Sequence, residues 1–227
     1  PRLGRSTPAA VLRLVGRHAI TAYAAMVLIY LFLPIAVMVL FSFNNVKGRF
    51  NFVWQGFTLD AWLDPFSVPG LGDAMLLSLE VAAISTVIAT ALGTLIALAL
   101  VRYRFIGLPA TNLLVLLPLT TPEIVMGASL LTLFLQLGVQ TGFTTIIIAH
   151  VMFNISYVVG TVRARLRGFD WTLEEAAMDL GANEWQTLRK VTLPLIFPGI
   201  LAAALLAFAL SLDDFIITLF NSGQQVT

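Results

Sequence analysis

Five stretches of this 227-residue chain are each long and apolar enough to cross a bilayer, at residues 19–43, 74–101, 109–137, 143–162 and 194–217. A helix rising 1.5 Å per residue needs about 20 apolar residues to span ~30 Å of hydrocarbon. The sequence therefore predicts an all-α membrane protein with five transmembrane helices. Composition agrees: 59% of residues are hydrophobic, 11% are charged and the mean hydropathy is +0.92, well outside the range of a water-soluble domain. The first run follows a basic stretch, as a secretory leader would, but it is too long for a leader's apolar region and lacks a small-residue cleavage pattern.

Lys and Arg set the orientation. Eleven of the 13 basic residues fall in three segments: Arg2, Arg5, Arg13 and Arg17; Arg102 and Arg104; and Arg163, Arg165, Arg167, Arg189 and Lys190. Five spans put all three on one side, so the N-terminus is expected in the cytoplasm. This divides the chain into a basic arm (1–18) and a transmembrane domain (19–227), with an outer loop at 44–73 and a cytoplasmic loop at 163–193. The sequence ends at NSGQQVT without structural punctuation, and a further helix is expected beyond it. The chain has no cysteine, which excludes disulfides and thiolate metal sites, and a net charge of +1 gives no support to nucleic-acid binding.

The cytoplasmic loop RARLRGFDWTLEEAAMDLGANEWQTLRKVTL carries the densest local signals. Thr172 with Glu175 three residues on reads as a capping box that starts a helix at Leu173. Leu173, Ala176, Ala177 and Leu180 then form one apolar stripe at i, i+3, i+4 and i+7. Gly181 is expected to stop that helix in the left-handed conformation, Asn183 with Gln186 to cap a second, and Pro194 to mark the return to the membrane. Such a unit suits docking into a groove on a soluble partner, and it would equally suit packing against its own helices.

Glu175-Ala176-Ala177, Gly181 and, nine residues later, Val191-Thr192-Leu193-Pro194 resemble the EAA loop of ABC importer permeases, with Val191 in place of the usual isoleucine. The resemblance implies a type I importer permease fold in a bacterial inner membrane. Leu173, Glu174, Glu175, Ala176, Ala177, Leu180 and Gly181 would then couple the chain to a cytoplasmic ATPase. The sequence contains no GxxxxGK[ST] phosphate loop, so ATP and Mg would be held by that partner and not by this chain. VRYRFIGLP, TTPEIVMGASLLTLF and FALSLDDFI are similar to the second permease subunit of spermidine/putrescine importers. The partners this implies are a homologous second permease, two ATPase subunits, an outer substrate-binding protein and membrane lipid.

The charges inside the spans can be weighed against that expectation. An acidic side chain at mid-bilayer costs about 2.5–3.5 kcal/mol on insertion scales, so Glu80, Glu123, Asp213 and Asp214 each need a reason. Polyamines carry several ammonium groups, and Glu123, Asp213 and Asp214 have the sign their path requires; Trp54 or a carboxylate near it would receive the cation from a binding protein by a cation–π or ion-pair contact, and Ser211 is placed on the same path. Pro118 and Pro122 should bend or break span three beside Glu123, with Thr120 and Thr121 satisfying the freed carbonyls. Against these readings stand solvated Asp213 and Asp214 at a frayed helix end, an internally bonded Glu123, and Trp54 as a headgroup-level aromatic. Glu80 reads as interfacial and His150, near Asn154 and Ser156, as an interior hydrogen-bonded histidine. Import of a metal, thiamine or an anion by the same architecture, or a non-conducting anchor subunit, are the alternatives. The chain lacks the HExxH and GxSxG motifs of a membrane enzyme and any His/Asp grouping for a metal.

Overall fold

The computed structural model describes residues 8–48 and 50–223, with side chains from His18 onward. It divides into two compact units that meet at residues 72 and 73. In the first, α1 (Pro8–Phe41) contains the apolar segment His18–Phe41, whose 24 residues rise about 36 Å. The helix begins ten residues before that segment, so the expected separate arm is, from Pro8 onward, the first turns of the span. Pro8 at the first helical position and the Ala-Ala-Val-Leu that follows are good helix starters. Arg2 and Arg5 lie outside the described residues.

The loop that follows α1 in this unit is organised by one residue. Asn44 is buried; its Oδ1 accepts from the Gln55 backbone N–H at 2.6 Å, and its Nδ2 donates to Asn51 Oδ1 and to the Val53 carbonyl. Asn44 also forms an antiparallel bridge with Phe57. Trp62, on the short α2 (Asp60–Leu63), stacks on Phe43 and donates its indole N–H to Ser42 Oγ at 3.2 Å.

The second unit begins with α3 (Leu71–Arg102). At about 48 Å it is longer than the hydrocarbon is thick, and Glu80 lies about 14 Å from its start. Next comes the expected third span, in two pieces: α4 (Leu108–Thr120) and α5 (Glu123–Gln136) meet at 113°. Thr121 is extended (φ −84°, ψ 130°), as a residue before proline prefers, and Pro122 offers no N–H to continue the ladder. Both threonine hydroxyls donate to the Leu117 carbonyl, Thr120 at 3.0 Å and Thr121 at 2.7 Å, and not to the carbonyls of Leu114 and Pro118 that the prolines leave free. Among the described residues the helices thus give four spans, or five if the bent pair crosses as one.

After α6 (Phe143–Leu166), the 163–193 loop holds α7 (Thr172–Asp179) and α8 (Glu184–Thr187). A single π turn, Leu188–Thr192, joins α8 without interruption to α9 (Leu193–Asp213). The wide turn has a local cause: the ring of Pro194 clashes with a carbonyl four residues back, and an i→i−5 bond from Leu193 N–H to the Leu188 carbonyl clears it. The chain breaks at Asp214 and resumes in α10 (Ile216–Asn221).

Glycines let the helices of this unit meet closely. A β-carbon at Gly93 would lie 2.6 Å from Val158 Cγ1, and one at Gly199 would lie 2.6 Å from Arg165 Cγ. These contacts hold α3 and α9 against α6. Ala97, Val158, Val159, Val162, Ile196 and Ala203 fill the core between them. In bilayer, where lipid is as apolar as leucine, such close small-residue packing supplies much of the helix association.

Candidate functional site

Where α9 breaks, the two adjacent aspartates face different surroundings. Asp213 is exposed and makes no protein hydrogen bond among the described residues; it lines a cleft of about 200 Å³ that Leu77, Ser78, Ser211, Asp214, Phe215 and Thr218 also border. Asp214 has a side chain only 3% exposed. Its Oδ1 accepts from the Ile217 N–H at 3.3 Å and its Oδ2 from the Thr218 N–H at 3.2 Å, so the carboxylate caps the first turn of α10.

His150 on α6 completes a buried polar cluster around that cap. Its Nε2 lies 3.2 Å from Asp214 Oδ2 and 2.9 Å from Thr218 Oγ1, and its Nδ1 lies 2.6 Å from Ser211 Oγ. Ser211 is in turn 3.1 Å from Ser85 on α3. With Asp214 ionised, a proton on Nε2 gives that contact a donor and an acceptor, and the Ser85 hydroxyl also reaches the Ala82 carbonyl at 3.3 Å. One network therefore pins α3, α6, α9 and α10 at the helix break.

Glu123 stands at the other break. It is the first residue of α5 and is exposed in an open cleft of about 470 Å³, which Pro118, Thr121, Pro122, Phe153, Tyr157 and Ile216 also line. Phe153 and Tyr157 meet edge to face, with ring centroids 4.9 Å apart. A carboxylate beside two aromatic rings is a setting that attracts an ammonium group by charge and by the ring quadrupoles. Neither cleft is lined by a Lys or Arg. In the first unit, Trp54 is 43% exposed and packs edge-on against Phe41.

The 163–193 loop forms much as its sequence suggests, with one exchange of roles. Asp170, not Glu175, serves the start of α7: its Oδ1 accepts from both the backbone N–H and the hydroxyl of Thr172. Asp outranks Thr as a cap, and Glu175 is left exposed. Gly181 has φ +88°, the left-handed stop that was expected, and Asn183 and Gln186 cap each other reciprocally. Leu173 (44% exposed) and Leu180 (90% exposed) leave the apolar stripe open, with Ala176 exposed and Ala177 half-buried between them. Glu174 points the other way and is buried.

Residues 89–225 match the family of inner-membrane components of binding-protein-dependent transport systems. The spermidine/putrescine transport system permease protein PotC of Escherichia coli K12 is 40% identical over 212 residues, which cover 93% of this chain and 80% of that protein. The chain belongs to this permease family. PotC of Haemophilus influenzae is 41% identical over 89% of the chain and 78% of its own length, and the E. coli putrescine permease PotI is 38% identical over 87% and 72%. A chain of a bacterial ABC transporter involved in import of the acidic polysaccharide alginate superposes with a TM-score of 0.68 at 15% identity, covering 95% of this chain and 82% of that one. That likeness establishes the type I permease fold.

The permease thus brings Ser211 and Asp214 together in a buried cluster that borders the same cleft as Asp213, leaves Glu123 in a separate cleft, and carries Trp54 in its first unit. Ser85, Thr218, Phe153 and Tyr157, which complete the cluster and the aromatic cleft, were not legible in the sequence. An apolar helix facing its neighbours gives no pattern that singles out a serine or tyrosine. The i, i+4 spacing of Phe153 and Tyr157, one turn before the basic end of α6, was the one available signal.

Proposed function

We propose that this permease subunit imports polyamines, using Glu123 with Phe153 and Tyr157, and Asp213, as cation sites along the path. The cleft at the broken span carries the proposal: an exposed carboxylate shares it with half-buried Tyr157, which packs on buried Phe153, at a break in an apolar segment where an unneeded charge would be selected against on insertion cost alone. Similarity to PotC and PotI supports the substrate class. Asp214 and Ser211, engaged in the buried cluster, shape the path without holding the cation directly.

The path forms with a homologous second permease. Two cytoplasmic ATPase subunits bind ATP and Mg, and a substrate-binding protein delivers polyamine to the outer loop near Trp54. The N-terminus and the 163–193 loop face the cytoplasm, in keeping with the distribution of basic residues. The open stripe of Leu173, Ala176, Ala177 and Leu180, with exposed Glu175, docks on the ATPase, and the turn at Gly181 sets the angle between α7 and α8. Closure of the ATPases moves α7 and thereby switches the spans between inward-open and outward-open states.

Uptake of labelled putrescine and spermidine by the assembled transporter tests this reading. Wild type takes up at least one amine, and Glu123→Gln raises the apparent KM about tenfold or more, as loss of one charged contact would. A wild type that transports neither amine would refute the substrate assignment, and unaltered uptake by Glu123→Gln would remove that residue from the path.

A further inference from the structure

Glu174 is the one carboxylate of the cytoplasmic loop that turns inward. Its Oε2 accepts from the Arg102 guanidinium at 2.6 Å, and its Oε1 accepts from the Thr192 hydroxyl at 2.5 Å. Its side chain is 5% exposed and that of Arg102 30%, so solvent screens the pair weakly. The three residues come from three elements: Arg102 is the last residue of α3, Glu174 lies in the first turn of α7, and Thr192 is the last residue of the π turn that leads into α9.

A side chain in this position can serve the helix it sits on or tie that helix to others. It does not serve α7, because Asp170 satisfies the start of that helix. Both of its oxygens are instead spent on the ends of two spans. Thr192 is wholly buried and its hydroxyl also lies 3.5 Å from the Thr187 carbonyl, so the contact fixes the π turn itself. A groove of about 400 Å³, lined by Val101, Arg102, Trp171, Glu174, Glu175 and Met178, runs beside the pair between α3 and α7.

We infer that Glu174 is a positioning residue, a brace through which displacement of α7 is delivered to α3 and α9 at the same time. α7 also packs directly against the π turn, and Glu174 adds to that packing a charged tie that reaches α3 as well. The brace rests on the importer reading given above, and it adds to that reading how motion of the docked helix enters the spans. Partners differ between the two oxygens, so either arm can be cut separately: Thr192→Val keeps the shape of the residue and removes one hydrogen bond, while Glu174→Gln removes the charge that holds Arg102.

The test uses the complete transporter in lipid nanodiscs and proteoliposomes. Amine imported per ATP hydrolysed is expected to fall about fivefold or more in Glu174→Gln, the scale of a coupling lost between two sites, while ATP hydrolysis persists. An unchanged ratio, or uptake and hydrolysis that fall in proportion, would overturn the inference. If Glu174→Gln does not assemble, Thr192→Val decides by the same ratio. Because the chain has no cysteine, spin labels on cysteines placed at the exposed Ile106 and Asp179 would be the only ones in this subunit. In wild type their separation stays constant when ATP binds, and in either variant it shifts or broadens. This second measurement needs no substrate: should the wild type import neither amine, the polyamine reading falls, and label distances unaffected by Glu174→Gln would separately refute the brace.

Discussion

Asp213 and Asp214 are neighbours in sequence and identical in chemistry, yet substituting each by Asn should have opposite consequences. Asp214 Oδ2 faces two donors, the Thr218 N–H and His150 Nε2–H, while Oδ1 faces the Ile217 N–H. An Asn at that position can supply one carbonyl oxygen only, so its amide NH2 must confront at least one of these donors. Hydrogen bonds to a charged group are worth about 1.5–3 kcal/mol, and a buried donor left without an acceptor costs about 1–3 kcal/mol. Asn is itself a good N-cap, which recovers part of the loss, and a net destabilisation of about 2–3 kcal/mol is expected. Asp213→Asn disturbs no protein contact and should leave stability unchanged, while weakening polyamine uptake. Thermal unfolding of the purified subunit assembly, read by loss of the monodisperse peak on size-exclusion chromatography, would separate the two. His150→Leu should lower stability as well, and adding it to Asp214→Asn should cost less than the sum of the two, because they share one interaction. Equal thermal stability of the two Asn variants, or strict additivity with His150→Leu, would refute the assignment of Asp214 to the buried cluster.

Other substitutions probe the remaining features. Gly199→Ala places a β-carbon 2.6 Å from Arg165 Cγ and should destabilise by about 1–3 kcal/mol through separation of α6 and α9, measurable as a lower midpoint in thermal unfolding. Gly181→Ala has open space around it but must hold φ +88°, so a smaller loss of about 1–2 kcal/mol, with weaker ATPase binding in pull-down, is expected. Asn44→Ala removes the acceptor for Gln55 N–H and both side-chain donors; amide hydrogen exchange across residues 50–58 should accelerate while that of α6 does not change.

The spans, the break in span three and the two short cytoplasmic helices were all legible in the sequence, because each rests on local rules: apolar length, proline and capping chemistry. Gly181 is the clearest instance, since its place after a short helix already required a left-handed residue. The sequence misled where two local options competed. Thr172 with Glu175 matches a capping box, but Asp170 lies close enough to take the same donors. It was silent where function depends on residues far apart in the chain. Nothing near Ser85 points to Ser211, 126 positions later, and Arg102 and Glu174 are 72 apart. The pair of aspartates drew attention as a unit, whereas the helix ends between them and sends one into the cluster and the other into a cleft.

The unbroken run from Glu184 to Asp213 is 30 residues and about 45 Å long. A rod of that length acts as a lever. Tilting its cytoplasmic end by about 5° would carry Asp213 sideways by roughly 4 Å, comparable to the width of an ammonium group with its contacts. No relay of rearranging side chains is then required between the loop and the far cleft, only that the rod not bend. The π turn sits close to its cytoplasmic end, where extra compliance shortens the lever arm least.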